Sequence, residues 1–387
     1  MFPDHRLERR RLLLAAAAIG AGPLLAACSR VPDVVKIGVG QPLSGPLAAL
    51  GRDLLNGVQM AVDEINAAGG VRIGGGVARL EVVSADDKAD PRAGEAAAQA
   101  LVDAGALVAV AHLNSGVSIP AAPIYAKAGI PQLAISTKPD YTRLGLPTTL
   151  RLVANDDLQS RAIGSYAAQM AGIERVAVVD DNTPYGKGLA DSSAKVIAAA
   201  GRKITVRRST DDKTTDFAAL VQELKATDTQ LFVTTLSDFQ VEALIDQLLA
   251  AGLSRMRILG GDTIKTDRMV KSAGKVNAVY ATSSILEARE FLAGPKFLAS
   301  FRARFNGDPV YGAHYAYDAV HLVADALSRN GSVDKAALLQ RLKSFDGNAP
   351  VTTSMRFGAD GEQRYAAIGV YRLGATVWEP LMRSDQW

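Results

Sequence analysis

Arg175-Val176-Ala177-Val178-Val179-Asp180, followed by an amphipathic run Gly186–Ala200 and then by Lys203–Arg208, is the stretch that decides the fold. A short apolar run bounded by charged residues suits a strand buried on both faces, and a connecting helix of that length makes the flanking strands parallel. The same alternation extends in both directions. Strands are expected at Val34–Val39, Arg79–Ser84, Leu107–Ala111 and Pro131–Ile135 before it, and at Gln230–Thr235, Arg257–Gly260 and Ala278–Ser283 after it. Helices are expected at Asp53–Ala67, Pro91–Ala104, Ile119–Ala128, Asp157–Ala171, Thr215–Ala226 and Asp238–Ala251. In the first, Leu54, Val58, Ala61 and Ile65 share a face; Gly69-Gly70 stops it, and Gly74-Gly75-Gly76 makes a tight turn. The strands are too many for one sheet, so the fold class is α/β with two doubly wound, Rossmann-like lobes. The C-terminal part breaks the rhythm, with helices at Pro295–Phe305, Ala313–Arg329 and Val333–Ser344 and strand-like runs at Thr352–Phe357 and Ala366–Leu373.

The N-terminus reads as a leader. Arg6, Arg9, Arg10 and Arg11 precede an apolar run from Leu12 to Ala27, which suits a secretory signal better than a membrane span. Leu25-Ala26-Ala27-Cys28 resembles the bacterial lipobox, which implies cleavage after residue 27, a lipidated Cys28 and a short linker over 28–33. The consecutive arginines suit the twin-arginine route, although the residues flanking them match it poorly, so Sec and Tat export both stay open. The protein is thereby expected in the periplasm or cell envelope, held to the membrane by its lipid only. Removing residues 1–27 lowers Lys+Arg from 43 to 39 and Asp+Glu from 40 to 38, so the remaining chain is nearly neutral. Nothing in that balance suggests a nucleic-acid partner. Cys28 is the only cysteine, so neither an internal disulfide nor a cysteine metal site can form.

Catalytic signatures are missing. Gly38-Val39-Gly40 lacks the third glycine of a dinucleotide fingerprint and is followed by Pro42. There is no Walker loop and no Gly-x-Ser-x-Gly elbow. His314, Asp318 and His321 share a helical face that continues to Asp325, opposite Tyr317, Val320, Val323 and Leu327, and the stripe reads as a solvated polar face rather than a metal site. His112 adjoins a buried strand with no evident partner. The chain is therefore expected to be neither an enzyme nor a cofactor or metal protein.

Open parallel sheets bind ligands at the carboxyl ends of their strands. The loops there carry Gln41 to Pro46, then His112, Leu113, Asn114, Ser115 and Gly116, then Ser136-Thr137; in the second series they carry Asp181 to Tyr185, Ser237-Asp238 and Gly261-Asp262. Hydroxyls and helix-start amides suit a carboxylate, and an acidic group suits an ammonium. Each of these residues also fits an ordinary turn or helix cap.

Five segments carry a family resemblance: Leu43-Ser44-Gly45-Pro46; Gly57-x-x-x-Ala61-x-x-x-Ile65-Asn66-x-x-Gly69-Gly70; Asp86-Asp87-x-x-Asp90-Pro91; Asp181-x-x-x-Tyr185-Gly186-x-Gly188; and Asp216-Phe217. In this order they resemble the branched-chain amino-acid binding proteins, the type I periplasmic binding proteins of ABC importers. The resemblance implies two lobes joined by three crossover strands, over 34–154 plus 286–364 and 155–285 plus 365–387. It implies a monomer that captures an amino-acid-like small molecule and delivers it to an ABC permease. It places Ser115 on the ligand's carboxylate and ammonium, Ser136 and Thr137 beside it, Tyr185 closing from the second lobe, and Asp262 on the ammonium. Leu113 and Asn114 lie on the same loop as Ser115. Two positions depart from the family, Leu50 where an aromatic lines the side-chain pocket and Ser237 where a tyrosine is common. The loop at Ser136 is also one residue shorter. An amide, urea-like or aromatic carboxylate ligand, or a sensory receptor subunit on the same fold, is the alternative.

Overall fold

The computed structural model describes residues 31–386. The expected leader and Cys28 lie outside these residues. Fifteen strands are described: β1 Val34–Gln41, β2 Val71–Ile73, β3 Gly76–Asp86, β4 Val108–Ala111, β5 Gln132–Ala134, β6 Thr149–Arg151, β7 Arg175–Asp180, β8 Lys203–Ser209, β9 Leu231–Thr234, β10 Arg257–Gly260, β11 Ala278–Ser283, β12 Asp346–Ala349, β13 Thr353–Arg356, β14 Gly369–Leu373 and β15 Trp378–Arg383. The helices are α1 Ala48–Ala67, α2 Pro91–Asp103, α3 Ser115–Lys127, α4 Asp140–Arg143, α5 Asp156–Gln169, α6 Pro184–Ala199, α7 Ala218–Ala226, α8 Asp238–Ala250, α9 Gly294–Phe305, α10 Ala313–Asn330 and α11 Lys335–Lys343.

The strands form two main sheets, ordered β2-β3-β1-β4-β5-β6 and β15-β14-β11-β10-β9-β7-β8. In the first, β1 lies between β3 and β4 and pairs with both in parallel. In the second, β14 and β15 add an antiparallel edge to a parallel body. Alternation along β7 shows why both faces need cover. Val176 and Val178 pack into one core with Leu189, while Ala177 and Val179 pack into another with Leu220. The chain passes between the two sheets three times, near residues 152–155, 284–287 and 364–368, and helices α9 to α11 return to the core of the first sheet. That return explains the break in rhythm at the C-terminal end.

Two features differ from the sequence reading. His314 and Asp318 are buried, not solvated. The His314 ring donates from Nε2 to the Leu286 carbonyl (2.9 Å) among Phe291, Phe297 and Tyr315, and burial pushes its pKa down to about 3. Asp318 accepts from the backbone of Val351 and Thr352. Long-range partners engage His314 Nε2 and the Asp318 carboxylate, which periodicity along one helix cannot reveal. His112 is likewise fully buried, with Nδ1 2.7 Å from Asp87 Oδ2 and Nε2 3.2 Å from the Tyr125 hydroxyl.

Candidate functional site

The carboxyl ends of the two sheets face one another, and their loops meet. A Cβ placed on Gly116 would lie 3.3 Å from Pro184, and one on Gly188 would lie 3.6 Å from Lys138 Cε, so the starts of α3 and α6 touch across a closed cleft. The backbone N–H of Asp156 donates to the Thr137 carbonyl (2.9 Å), which ties α5 to the β5 loop.

On the first-sheet side, Ser115 opens α3 and is buried, and Asn114 stands at the N-cap position without a side-chain cap bond. The Lys138 N–H donates to Ser115 Oγ (3.2 Å), which links the two loops expected to grip a ligand. Asn114 Oδ1 and Ser136 Oγ are buried without a hydrogen-bond partner among the described residues. Leu113 and Leu50 are half-buried, Leu50 on the first turn of α1 and Leu113 against the first core. Beneath the loop, the fully buried Arg151 donates to the carbonyls of Ser136 and Lys138 and pairs with Glu362 (3.0 Å). A buried cation is tolerable there because carbonyls and a carboxylate surround it.

On the second-sheet side, Tyr185 stands in the first turn of α6 and Asp262 opens a short 3₁₀ turn, Asp262–Ile264. The Tyr185 hydroxyl donates to Asp262 Oδ2 (3.2 Å), and burial beside two carboxylates pushes the phenol well above its ordinary pKa. Gly261 makes this approach possible, since a Cβ there would lie 2.6 Å from the hydroxyl. Asp262 is fully engaged. It accepts from Gln159 Nε2 (2.9 Å), Ser283 Oγ (2.8 Å), the Ser284 N–H (2.7 Å) and the Ser284 hydroxyl (3.2 Å). Two expected loop residues take ordinary roles. Ser237 precedes α8 and donates its N–H to Gln240 Oε1 (3.1 Å), and Asp181 accepts from the backbone and hydroxyl of Thr183.

Two cleft residues were missed by the sequence reading. Asp156, the first residue of α5, is buried with neither carboxylate oxygen hydrogen-bonded among the described residues. Burial pushes its pKa up to about 7, against the lowering pull of the Thr137 hydroxyl and Arg151; Asp262 and Asp157 add to the rise. The signal was the Asn155-Asp156 pair: Asn155 caps α5, accepting from the Leu158 N–H (3.2 Å), which frees Asp156 from that duty. The second is Tyr311, whose phenol burial and the nearby Asp262 and Asp53 push above its ordinary pKa. Asp53 fixes that segment, accepting from the N–H groups of Val310 (2.8 Å), Tyr311 (3.1 Å) and Ala313 (2.8 Å).

The cleft thus presents hydroxyls and a helix start on one wall, and a free carboxylate, an engaged carboxylate and two phenols around the other. No group of three or more metal-binding side chains occurs among the described residues, and no helix there is long and apolar enough to cross a membrane.

Comparison with known proteins agrees with this architecture. A family model described as periplasmic binding protein matches residues 34–374. The Leu/Ile/Val-binding protein homolog 2 of Brucella abortus is 32% identical over 332 residues, covering 85% of this chain and 87% of that protein. The branched-chain amino acid transporter substrate-binding protein LivJ of Streptococcus pneumoniae, solved with isoleucine, superimposes with a TM-score of 0.79 at 26% identity, covering 90% of this chain and 99% of that one. A solute-binding protein of an ABC transporter from Rhodopseudomonas palustris, solved with 3,4-dihydroxybenzoic acid, shares the fold at a TM-score of 0.78 and 21% identity, covering 91% of this chain and 97% of that one.

Proposed function

The chain belongs to the periplasmic binding proteins, in the Leu/Ile/Val-binding branch with the type I fold, and from that premise we propose that it captures an α-amino acid between its lobes and delivers it to an ABC importer. The observation that carries this reading is Asp156, a buried carboxylate whose oxygens have no geometric hydrogen-bond partner among the described residues and whose backbone N–H ties it to the Thr137 loop. In the proposal, Ser115, Thr137 and the start of α3 take the ligand carboxylate, with Ser136 and Asn114 beside them. Asp156 takes the ammonium, and Asp262 orients Tyr185, which closes over the ligand. Leu50, Leu113 and Tyr311 line the side-chain end.

The lobes are proposed to span 34–154 plus 286–364 and 155–285 plus 365–387. A leader cleaved before a lipidated Cys28 is proposed from the lipobox-like sequence, and the mass of the mature N-terminal residue checks it.

Calorimetry with leucine, isoleucine, valine, alanine and threonine tests the ligand class. Ser115→Ala is expected to weaken the best of them by about 1.5–3 kcal/mol, the scale of a charge-linked hydrogen bond. Binding of none of them by the unaltered protein refutes the reading. An aromatic carboxylate is the second reading, supported by the phenols of Tyr185 and Tyr311 in the cleft and by Leu50 in place of an aromatic. The same titration with benzoate and 4-hydroxybenzoate decides between the two.

A further inference from the structure

We propose that the second sheet carries a further binding site, for a small organic dianion, at the end of its strands away from the cleft. The inference goes beyond the amino-acid reading and does not rest on it.

An open cavity of about 410 Å³ lies there, within the size range of small-molecule sites. Its place follows from the register of the sheet. Arg257 and Ala278 are the first residues of β10 and β11 and pair with one another, and Tyr280 pairs with Arg372 of the antiparallel β14. The cleft takes the other ends of β10 and β11, where Asp262 meets Ser283. Tyr280 packs on the same core as Tyr166 of α5. That helix stops at Gln169, where Met170 turns to extended backbone, so the corner beyond it stays open.

The guanidinium groups of Arg257 and Arg372 and the phenols of Tyr166 and Tyr280 line the cavity with the amides of Gln169 and Asn277, and no carboxylate does. The acid opposite Arg372 in the ladder is Glu379 of β15. Its carboxylate is turned towards Gly374, where a Cβ would lie 2.5 Å from Oε1, and no ion pair joins either arginine among the described residues. Arg257 Nη1 donates to the Ala171 carbonyl (2.9 Å), which answers the partial negative charge at the end of α5. The remaining donors of both guanidinium groups face the cavity without a protein acceptor among the described residues. The rings of Tyr166 and Tyr280 meet edge to face, with centroids 5.4 Å apart. Burial pushes the Tyr166 phenol up to about 12, Tyr280 adds to the rise, and Arg372 and Arg257 pull against it. Both arginine charges are thus felt at one hydroxyl, and that hydroxyl keeps its proton at neutral pH and stays a donor.

This lining selects by charge and shape. Guanidinium forks match the oxygens of carboxylates and phosphates. Two of them, with no protein anion between, favour a ligand with two negative charges over a ligand with one. The tyrosine rings, Met170 and Ala278 offer apolar contact to a carbon body, and the volume is more than one inorganic ion fills. An ammonium finds no acid here, so the amino acids proposed for the cleft have no place in this cavity.

Calorimetry with phthalate and with phenyl phosphate, at about pH 7.5 and low ionic strength, tests the site and separates a dicarboxylate from a phosphate monoester. At least one of the two is expected to bind with Kd below about 1 mM, and benzoate, with a single charge, roughly tenfold more weakly. Arg372→Gln and Arg257→Gln should each weaken the bound dianion about tenfold. Arg372 is exposed on a strand near the sheet edge, so the melting temperature of its variant should stay close to that of the unaltered chain. Isoleucine titrated into both variants should give the response of the unaltered protein, because the cleft is untouched. Binding of neither dianion by the unaltered protein overturns the proposal, as does benzoate binding as tightly as phthalate. Unchanged dianion affinity in both variants also overturns it, since the probe then sits elsewhere. These outcomes are read whether or not isoleucine binds, so failure of this site and failure of the amino-acid reading are told apart.

Discussion

Gly261 and Gly57 show how a missing side chain can permit a close approach. At Gly261 the space that a Cβ would fill is taken by the Tyr185 hydroxyl at 2.6 Å. Gly261→Ala must move that phenol and break its 3.2 Å hydrogen bond to Asp262. The neighbour is the far end of a side chain, so the fold should adjust at a cost near 1 kcal/mol. The expected result is a nearly unchanged melting temperature with ligand affinity reduced about tenfold, the worth of one such hydrogen bond. Equal losses in stability and affinity would place the role of Gly261 in the scaffold instead. Gly57 is the contrasting case, because a Cβ there would lie 2.0 Å from the Ala313 carbonyl, which is backbone and cannot swing away. Candidate positions were legible in proportion to their dependence on local sequence. Ser115, Tyr185 and Asp262 fall at strand ends, where loops carry chemistry. Asp156 was missed because the helix was started one residue late; the Asn155-Asp156 pair marks the position, whereas the lack of partners for its carboxylate is set by residues distant in sequence.

The elements themselves were readable where an apolar run is continuous. Strands β7, β10 and β11 have the boundaries their sequences suggest. The missed strands β2, β6, β12 and β15 are short or interrupted, as in Thr149-Leu150-Arg151, where a buried arginine stands in a strand. Helix α3 was started four residues late, since Pro120 and Pro123 lie inside its first turns. The opening of α10 shows why polar burial is hidden from sequence. Its backbone N–H groups are capped from α1 by Asp53, whose pKa burial raises to about 6, while His314 in its first turn is pushed down to about 3. The two act oppositely on stability. Asp53 binds its proton more tightly in the folded state, so stability falls as pH rises from about 4 to about 6. His314 binds its proton less tightly when folded, so stability falls as pH drops from about 6.5 towards about 3. Unfolding free energies of His314→Gln and the unaltered protein should therefore diverge with acidification. The variant should gain relative stability by about 1.4 kcal/mol per pH unit below about pH 6. A difference independent of pH would mean that His314 is not buried as the neutral ring.

At the scale of the whole molecule, three passages of chain join the lobes, and the contacts across the cleft are few. Arg151 at the end of β6 and Glu362 just before the third passage form an ion pair, and Arg151 also grips the Ser136–Lys138 loop, so the passages between the sheets and that loop share one anchor. Rigid lobes on such a hinge close by bringing α3 and α6 together, the motion common to binding proteins of this build. The meeting point is Gly116 against Pro184. A large side chain at Gly116 would meet Pro184 before closure is complete, yet in the open arrangement it would face solvent. Gly116→Phe should thus leave the melting temperature of the ligand-free protein close to that of the unaltered chain, because neither core is touched. It should also remove the contraction seen by scattering at saturating ligand and weaken binding by roughly a hundredfold, since only one lobe then contacts the ligand. Tight binding with full contraction in Gly116→Phe would show that the lobes close along another path and that the α3–α6 contact is incidental.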